Sequence, residues 1–323
     1  LNFSTKNKTH MKNNPIRNAL HSFRNRISSS LAVHGRLRTR RSIRLFYAVF
    51  LLVTSTVAGI AYLFHYSLRV HGATMTPGHE LLMRVIFCGA ALVATKVISG
   101  FEKEPWLAYG LDARHRTVHF GFGLLAGTLA LSGTMAALVL TGGANVTRME
   151  SLGGSPIASG MLWALVFILV GWSEELIFRG YVFFRLARDV GAVAAAVRTS
   201  LAFGFVHAFN PNESILGLVQ VVLFGLVACF AIWRTGSLWW AAGMHAAWDW
   251  SESFLFGAAD SGRMVSGHFL TSQAIGPSWF SGGATGPEGS LLAIPAVGIL
   301  ALIVLLALPK TGAAMSLRTR QAA

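Results

Sequence analysis

The sequence predicts an all-α fold, a polytopic membrane bundle of about eight transmembrane helices. Three observations carry that expectation. Hydrophobic residues make up 53% of the 323 residues and charged residues 12%, about half the 25% charged content of soluble domains. Eight apolar stretches have roughly the 18–25 residues that a bilayer core demands of a helix. The basic residues, finally, fall on alternate sides of those stretches as the positive-inside rule requires.

In chain order the predicted spans are about 45–64, 80–99, 118–141, 160–184, 190–208, 214–233, 237–256 and 290–308. With the N-terminus inside, the inner tails and loops collect 21 Lys and Arg, whereas the outer loops hold only Arg69, Arg148 and Arg263. Arg84, Lys96 and Arg179 fall within spans. Both termini are therefore expected to be cytoplasmic. Residues 1–43 read as a disordered or surface-lying basic tail, and 44–158 as three N-terminal spans. Residues 159–256 hold the spans with buried polar groups. The stretch 257–289, rich in Gly and Ser with Pro277 and Pro287, reads as an outer loop without a fold of its own. The last span and a short basic tail fill 290–323.

The net charge of +14 does not indicate a nucleic-acid partner. Eleven of the 27 Lys and Arg precede Phe46, in a region with no acid at all, and a basic tail beside an apolar span reads as a topology signal and a contact with anionic lipid. The tail is too long and too charged for a signal-peptide n-region, so the first span is expected to remain as an anchor. Cys88 and Cys229 both lie in predicted spans, and two isolated thiols support neither a disulfide framework nor a thiolate zinc site. Gly123 and Gly127 form a small-xxx-small pair, read here as a bundle-packing surface.

Three spans carry polarity that membrane depth makes costly, by roughly 2.5–3.5 kcal/mol per charge on insertion scales. The fourth holds Glu174, Glu175 and Arg179, the fifth ends at His207, and the seventh holds His245 and Asp249. Glu175 and Arg179 are four apart and face each other as an ion pair. Glu174 is turned about 100° away and is left as the free carboxylate. His245 and Asp249 also project together. At 1.5 Å rise per residue the four groups lie about 12–22 Å into the membrane from its inner face, depths that overlap near its middle.

One such carboxylate beside an imidazole can bind and deprotonate water, and a further His can donate to a developing oxyanion. Two His with carboxylates are also suitable ligands for zinc, which activates bound water. Both routes lead to hydrolysis of a carbonyl compound, most naturally a peptide bond. A proton relay, a transporter or structural polar contacts would use the same groups without chemistry.

The run Glu174-Glu175-x-x-x-Arg179, then Phe203-x-x-x-His207, then His245-x-x-x-Asp249 resembles the CPBP family of intramembrane proteases, also called the CAAX prenyl protease or Abi family. The resemblance covers about residues 160–250, so 159–256 would be the protease core. It implies that Glu174 activates water with His207, that His245 and Asp249 stabilise the oxyanion or hold a metal, and that Glu175 and Arg179 support the site. His207, His245 and Asp249 are then the candidate ligands for Zn2+, with a metal-free glutamate mechanism as the alternative. The family has Asn as the alternative at position 249, and an ionised Asp there can only accept a hydrogen bond. The expected partners are the lipid bilayer, in a bacterial cytoplasmic membrane, and a membrane-associated protein or peptide substrate. The competing expectation is a non-catalytic membrane scaffold or transporter using the same buried cavity.

Overall fold

The computed structural model describes residues 15–63, 74–113, 115–148 and 155–308. The chain is a helical membrane protein, and among the described residues five helices are long and apolar enough to cross a bilayer. In order these are the Arg38–Leu63 part of α1 (Pro15–Leu63), α2 (Pro77–Phe101), α3 (Arg116–Leu140), the joined pair α4 (Pro156–Phe178) and α5 (Tyr181–Val190), and, after a shorter helix, α7 (Ile215–Thr235). Shorter helices account for the other predicted stretches: α6 (Ala192–His207), α8 (Trp239–Trp250) and α10 (Ala293–Ala307). A four-residue helix, α9, spans Ser278–Ser281.

Local chemistry sets the helix ends. Pro156 opens α4 behind Ser155, whose hydroxyl accepts from the Ala158 amide. Ser214 caps α7 by accepting from the Gly217 amide at 3.0 Å, and Gly236 closes that helix in the left-handed region. These are the preferred cap chemistries.

The centre of the bundle is α8, whose residues from Trp240 to Asp249 are all buried. It packs chiefly on α3 and α4. Its run of Ala241, Ala242, Gly243, Ala246 and Ala247 lets backbones come close, as small residues do in membrane bundles. On the facing helix, a side chain at Gly123 or Gly127 would collide with the Trp240 or Met244 carbonyl. The Gly123/Gly127 pair is thus a packing surface within the bundle. Beyond Trp250 the helix loosens into one π-helical turn, Ser251–Leu255.

Two expectations are corrected, and a third falls partly outside the described residues. The fourth stretch is not one helix: it breaks at Arg179–Gly180, where the backbone of Gly180 leaves helical geometry, and α5 runs on to Val190. The tail expectation for residues 1–14 falls outside the described residues, whereas 15–43 lies in α1. The outer segment 257–289 has structure of its own. Its β3 (Met264–Val265) pairs in parallel with β1 (Thr74–Met75), and its β4 (Leu270–Ala274) pairs antiparallel with β2 (Ala144–Arg148). Composition marked the turns there, but the pairing is set by strands up to 190 residues away in sequence, a separation that local patterning does not encode.

The outer segment and the neighbouring α6–α7 link carry acids with depleted solvation. Burial pushes the Glu213 carboxyl up to about 7 and raises Asp260 and Glu288 as well.

Two outcomes are expected. Gly127→Leu should leave little folded protein or lower the thermal midpoint sharply in detergent, since overpacking costs about 1–3 kcal/mol or more; Gly121→Ala, at a position with open space around it, should not. The raised Glu213 value makes its neutral form the one that folding favours. Its contribution is complete below about 4.5 and is lost as pH rises through about 7. Glu213→Gln should therefore flatten the decline of the thermal midpoint over that window; parallel declines in both proteins would reject the assignment.

Candidate active site

The two adjacent carboxylates of α4 have different partners because helical geometry turns them about 100° apart. Glu175 is fully buried and accepts from Arg179 Nη1 at 2.7 Å. Its same oxygen, Oε1, lies 3.0 Å from Nδ1 of His245 on α8. Arg179 in turn lies over the ring of Phe203 from α6, 4.2 Å from its centroid. Room for its guanidinium comes from α7, where a side chain at Gly225 would meet Arg179 Nη2 at 2.6 Å.

Glu174 is the group the sequence expectation misplaced. It is not free: its Oε1 accepts from Arg84 Nη1 of α2 at 2.8 Å. Arg84 also approaches Glu80 one turn earlier, with Nε 3.4 Å from Oε2, and Glu80 Oε1 accepts from Arg263 of the outer segment at 2.9 Å. Spacing rules relate residues three or four apart on one helix, and nothing in them links position 84 to 174. The only local signal for Arg84 was an arginine inside a span, four residues after an acid.

The second oxygen of Glu174, Oε2, faces both histidines. His245 Nε2 is 3.6 Å away and His207 Nε2 is 4.0 Å away. Their other ring nitrogens fix the tautomers. His207 Nδ1 is 2.8 Å from the Phe203 carbonyl, which can only accept, so Nδ1 carries the proton. His245 Nδ1 points at the Glu175 carboxylate by the same logic. In each neutral ring Nε2 is then the lone-pair nitrogen. Asp249 Oδ2 lies 3.6 Å from His245 Nε2. Phe203 presses its ring edge against His207 and His245, and Phe224 does the same to His245 from α7. The imidazoles therefore have little room to rotate.

Glu174, His207, His245 and Asp249 all line one cavity of about 620 Å³, within the usual range for ligand sites. Its far wall is apolar and comes partly from Tyr47, Phe50 and Phe87 on α1 and α2, while Asp260 and Glu288 reach it from the outer segment. Among the described residues, the ligand atoms lying mutually within 4.8 Å belong to Glu252, Asp260 and Glu288, not to His207, His245 and Asp249. As placed, the expected zinc ligands do not fit one shared ion, and the chemistry below runs through no metal.

No curated protein and no solved structure matches the chain. Residues 156–251 match the family model for type II CAAX prenyl endopeptidase, Rce1-like. That interval contains Glu174, Glu175, Arg179, His207, His245 and Asp249, and it excludes Arg84, Glu80 and Arg263. Over residues 156–251 the chain is thus similar to the Rce1-like type II CAAX prenyl endopeptidase family, the one that the spaced acid, histidine and arginine motifs resemble.

Proposed function

We propose that this protein is an intramembrane endopeptidase that hydrolyses a peptide bond in a membrane-associated protein or peptide. The observation that carries the reading is the convergence of Glu174 Oε2 with two lone-pair nitrogens, 3.6 and 4.0 Å away, in a cavity walled by the apolar helices. Those separations are too long for direct hydrogen bonds and suit a small polar group bridging them.

In this mechanism a water bound by Glu174 and His207 attacks the scissile carbonyl carbon. Glu174 takes one proton as the new C–O bond forms, in the manner of a positioned general base. The carbonyl oxygen gains negative charge facing His245, which meets it when the ring enters the step as an imidazolium, Nε2 having taken a proton from solvent beforehand and keeping it through the cycle. The Glu175 carboxylate behind Nδ1 offsets the positive charge on that ring and fixes its orientation, as in catalytic carboxylate–histidine pairs. Collapse of the intermediate breaks the C–N bond, and the proton held by Glu174 passes to the leaving amine. Arg179 neutralises Glu175, and Asp249 Oδ2 stands 3.6 Å from the same Nε2 of His245 that faces Glu174. An ionised Asp249 can accept but not donate, so its role in this reading begins when Nε2 of His245 is protonated, and is then to steady the imidazolium.

The apolar wall suits a substrate that enters from the bilayer. A bacterial cytoplasmic membrane with both termini inside remains the proposed setting, on the charge distribution of the chain.

Glu174→Gln keeps the shape and removes the base, and should slow cleavage by about 10²–10⁴-fold while the protein still inserts. The check is a comparison of protein termini in membranes from cells carrying wild type or Glu174→Gln. New termini that depend on Glu174 support the reading, and their sequences report whether prenylated proteins are among the substrates. Identical termini in both, with the protein folded and inserted, would favour the scaffold or transporter instead.

A further inference from the structure

We infer that Arg84, on a helix outside the matched domain, is a positioning residue that aims Glu174 at its substrate water. The inference rests on the protease reading above and adds to it a component drawn from α2.

The geometry is a chain of alternating charges. Arg263 of the outer segment donates to Glu80, Glu80 flanks Arg84, and Arg84 donates to Glu174. Glu80 is buried, and the side chains of Arg84, Arg263 and Glu174 are 13%, 16% and 17% exposed. Four charges in sequence cancel, which is the condition for holding them at this depth.

Charge cancellation alone does not require the observed orientation. A carboxylate joined to the backbone by three rotatable bonds can present either oxygen in several directions. Here Oε1 is held by the guanidinium, and so Oε2 is the oxygen left facing the two Nε2 atoms. Arg84 is itself held by Glu80, which is anchored from outside by Arg263. The segment 156–251 supplies the acid and both imidazoles, but the group that points the acid comes from α2. A misplacement of about 1 Å in such a site can cost about 100-fold in rate.

Lysine at this position would keep the charge and lose the planar fork that reaches both Glu80 and Glu174. The test therefore separates charge from geometry. Membranes containing wild type, Glu174→Gln, Arg84→Lys or Arg84→Ala would be assayed for the rate at which Glu174-dependent termini appear, with the thermal midpoint of each purified protein measured alongside. Arg84→Lys is expected to be folded and about 100-fold slower. Arg84→Ala is expected to be inactive, and to regain cleavage when methylguanidinium is added but not when methylammonium is. A wild-type rate in Arg84→Lys, or equal rescue by the two cations, would overturn the positioning role and leave the protease reading intact. Absence of Glu174-dependent termini in wild-type membranes would remove both. If Arg84→Lys does not fold, the cation rescue of Arg84→Ala decides alone, and failure of methylguanidinium to restore cleavage counts against the proposal.

Discussion

Two carboxylates side by side on one membrane helix cannot share a counter-ion. Glu174 and Glu175 are consecutive, and the helical rotation between them sends Glu174 toward Arg84 of α2 and the Nε2 side of the histidines, and Glu175 toward Arg179 and Nδ1 of His245 on α8. Each then needs its own arginine, because an unpaired charge at this depth costs several kcal/mol. Arg179 serves Glu175 from within the same helix. Arg84 serves Glu174 from another. The packing of α2 on α4 is therefore an electrostatic requirement of the site as well as an apolar contact, and α4 is fixed on both sides by the groups it must satisfy.

The second requirement is closeness. His245 can touch Glu175 only if α8 approaches α4 nearly backbone to backbone, and the small residues at 241–243 and 246–247 make that approach possible. A side chain at Gly171 would meet the Ala242 carbonyl at 2.7 Å, so α4 yields space at the same level. The Gly123 and Gly127 surface of α3 presses on the opposite side of α8. The histidine is thus placed by a sandwich of small residues, and its ring is then trapped between Phe203 and Phe224. Apolar packing sets the position and the carboxylate sets the tautomer.

Much of this was legible in the residues themselves. The four-residue spacing of Glu175 and Arg179, and of His245 and Asp249, named the local pairs. Rotation along α4 said that Glu174 faces elsewhere. What could not be read was where elsewhere leads, because the partner lies 90 residues away on a helix with no motif. The break at Gly180 was also hidden: apolar composition continues through Tyr181-Val-Phe-Phe, and a glycine followed by aromatics does not by itself end a helix. The strand pairs of the outer segment depend on partners at 74–75 and 144–148, the first too short to show a period of two. Side-chain spacing encodes contacts within a helix; contacts between helices appear only when packing is complete.

The arrangement also bears on which kind of chemistry the cavity serves. A proton wire needs groups strung in line, each within hydrogen-bond reach of the next, so that a proton can enter at one end and leave at the other. Here His207 Nε2 and His245 Nε2 both lie around one oxygen, Glu174 Oε2, instead. The outward faces of both rings are closed by fixed acceptors, the Phe203 carbonyl and the Glu175 carboxylate. A proton arriving at His207 Nε2 has no onward acceptor through the ring, since Phe203 offers only an amide carbonyl, and one arriving at His245 Nε2 can be passed no further than Glu175, which is buried and paired with Arg179. Convergence with closed exits is the geometry that the proposed hydrolysis needs, in which one small molecule is activated in place.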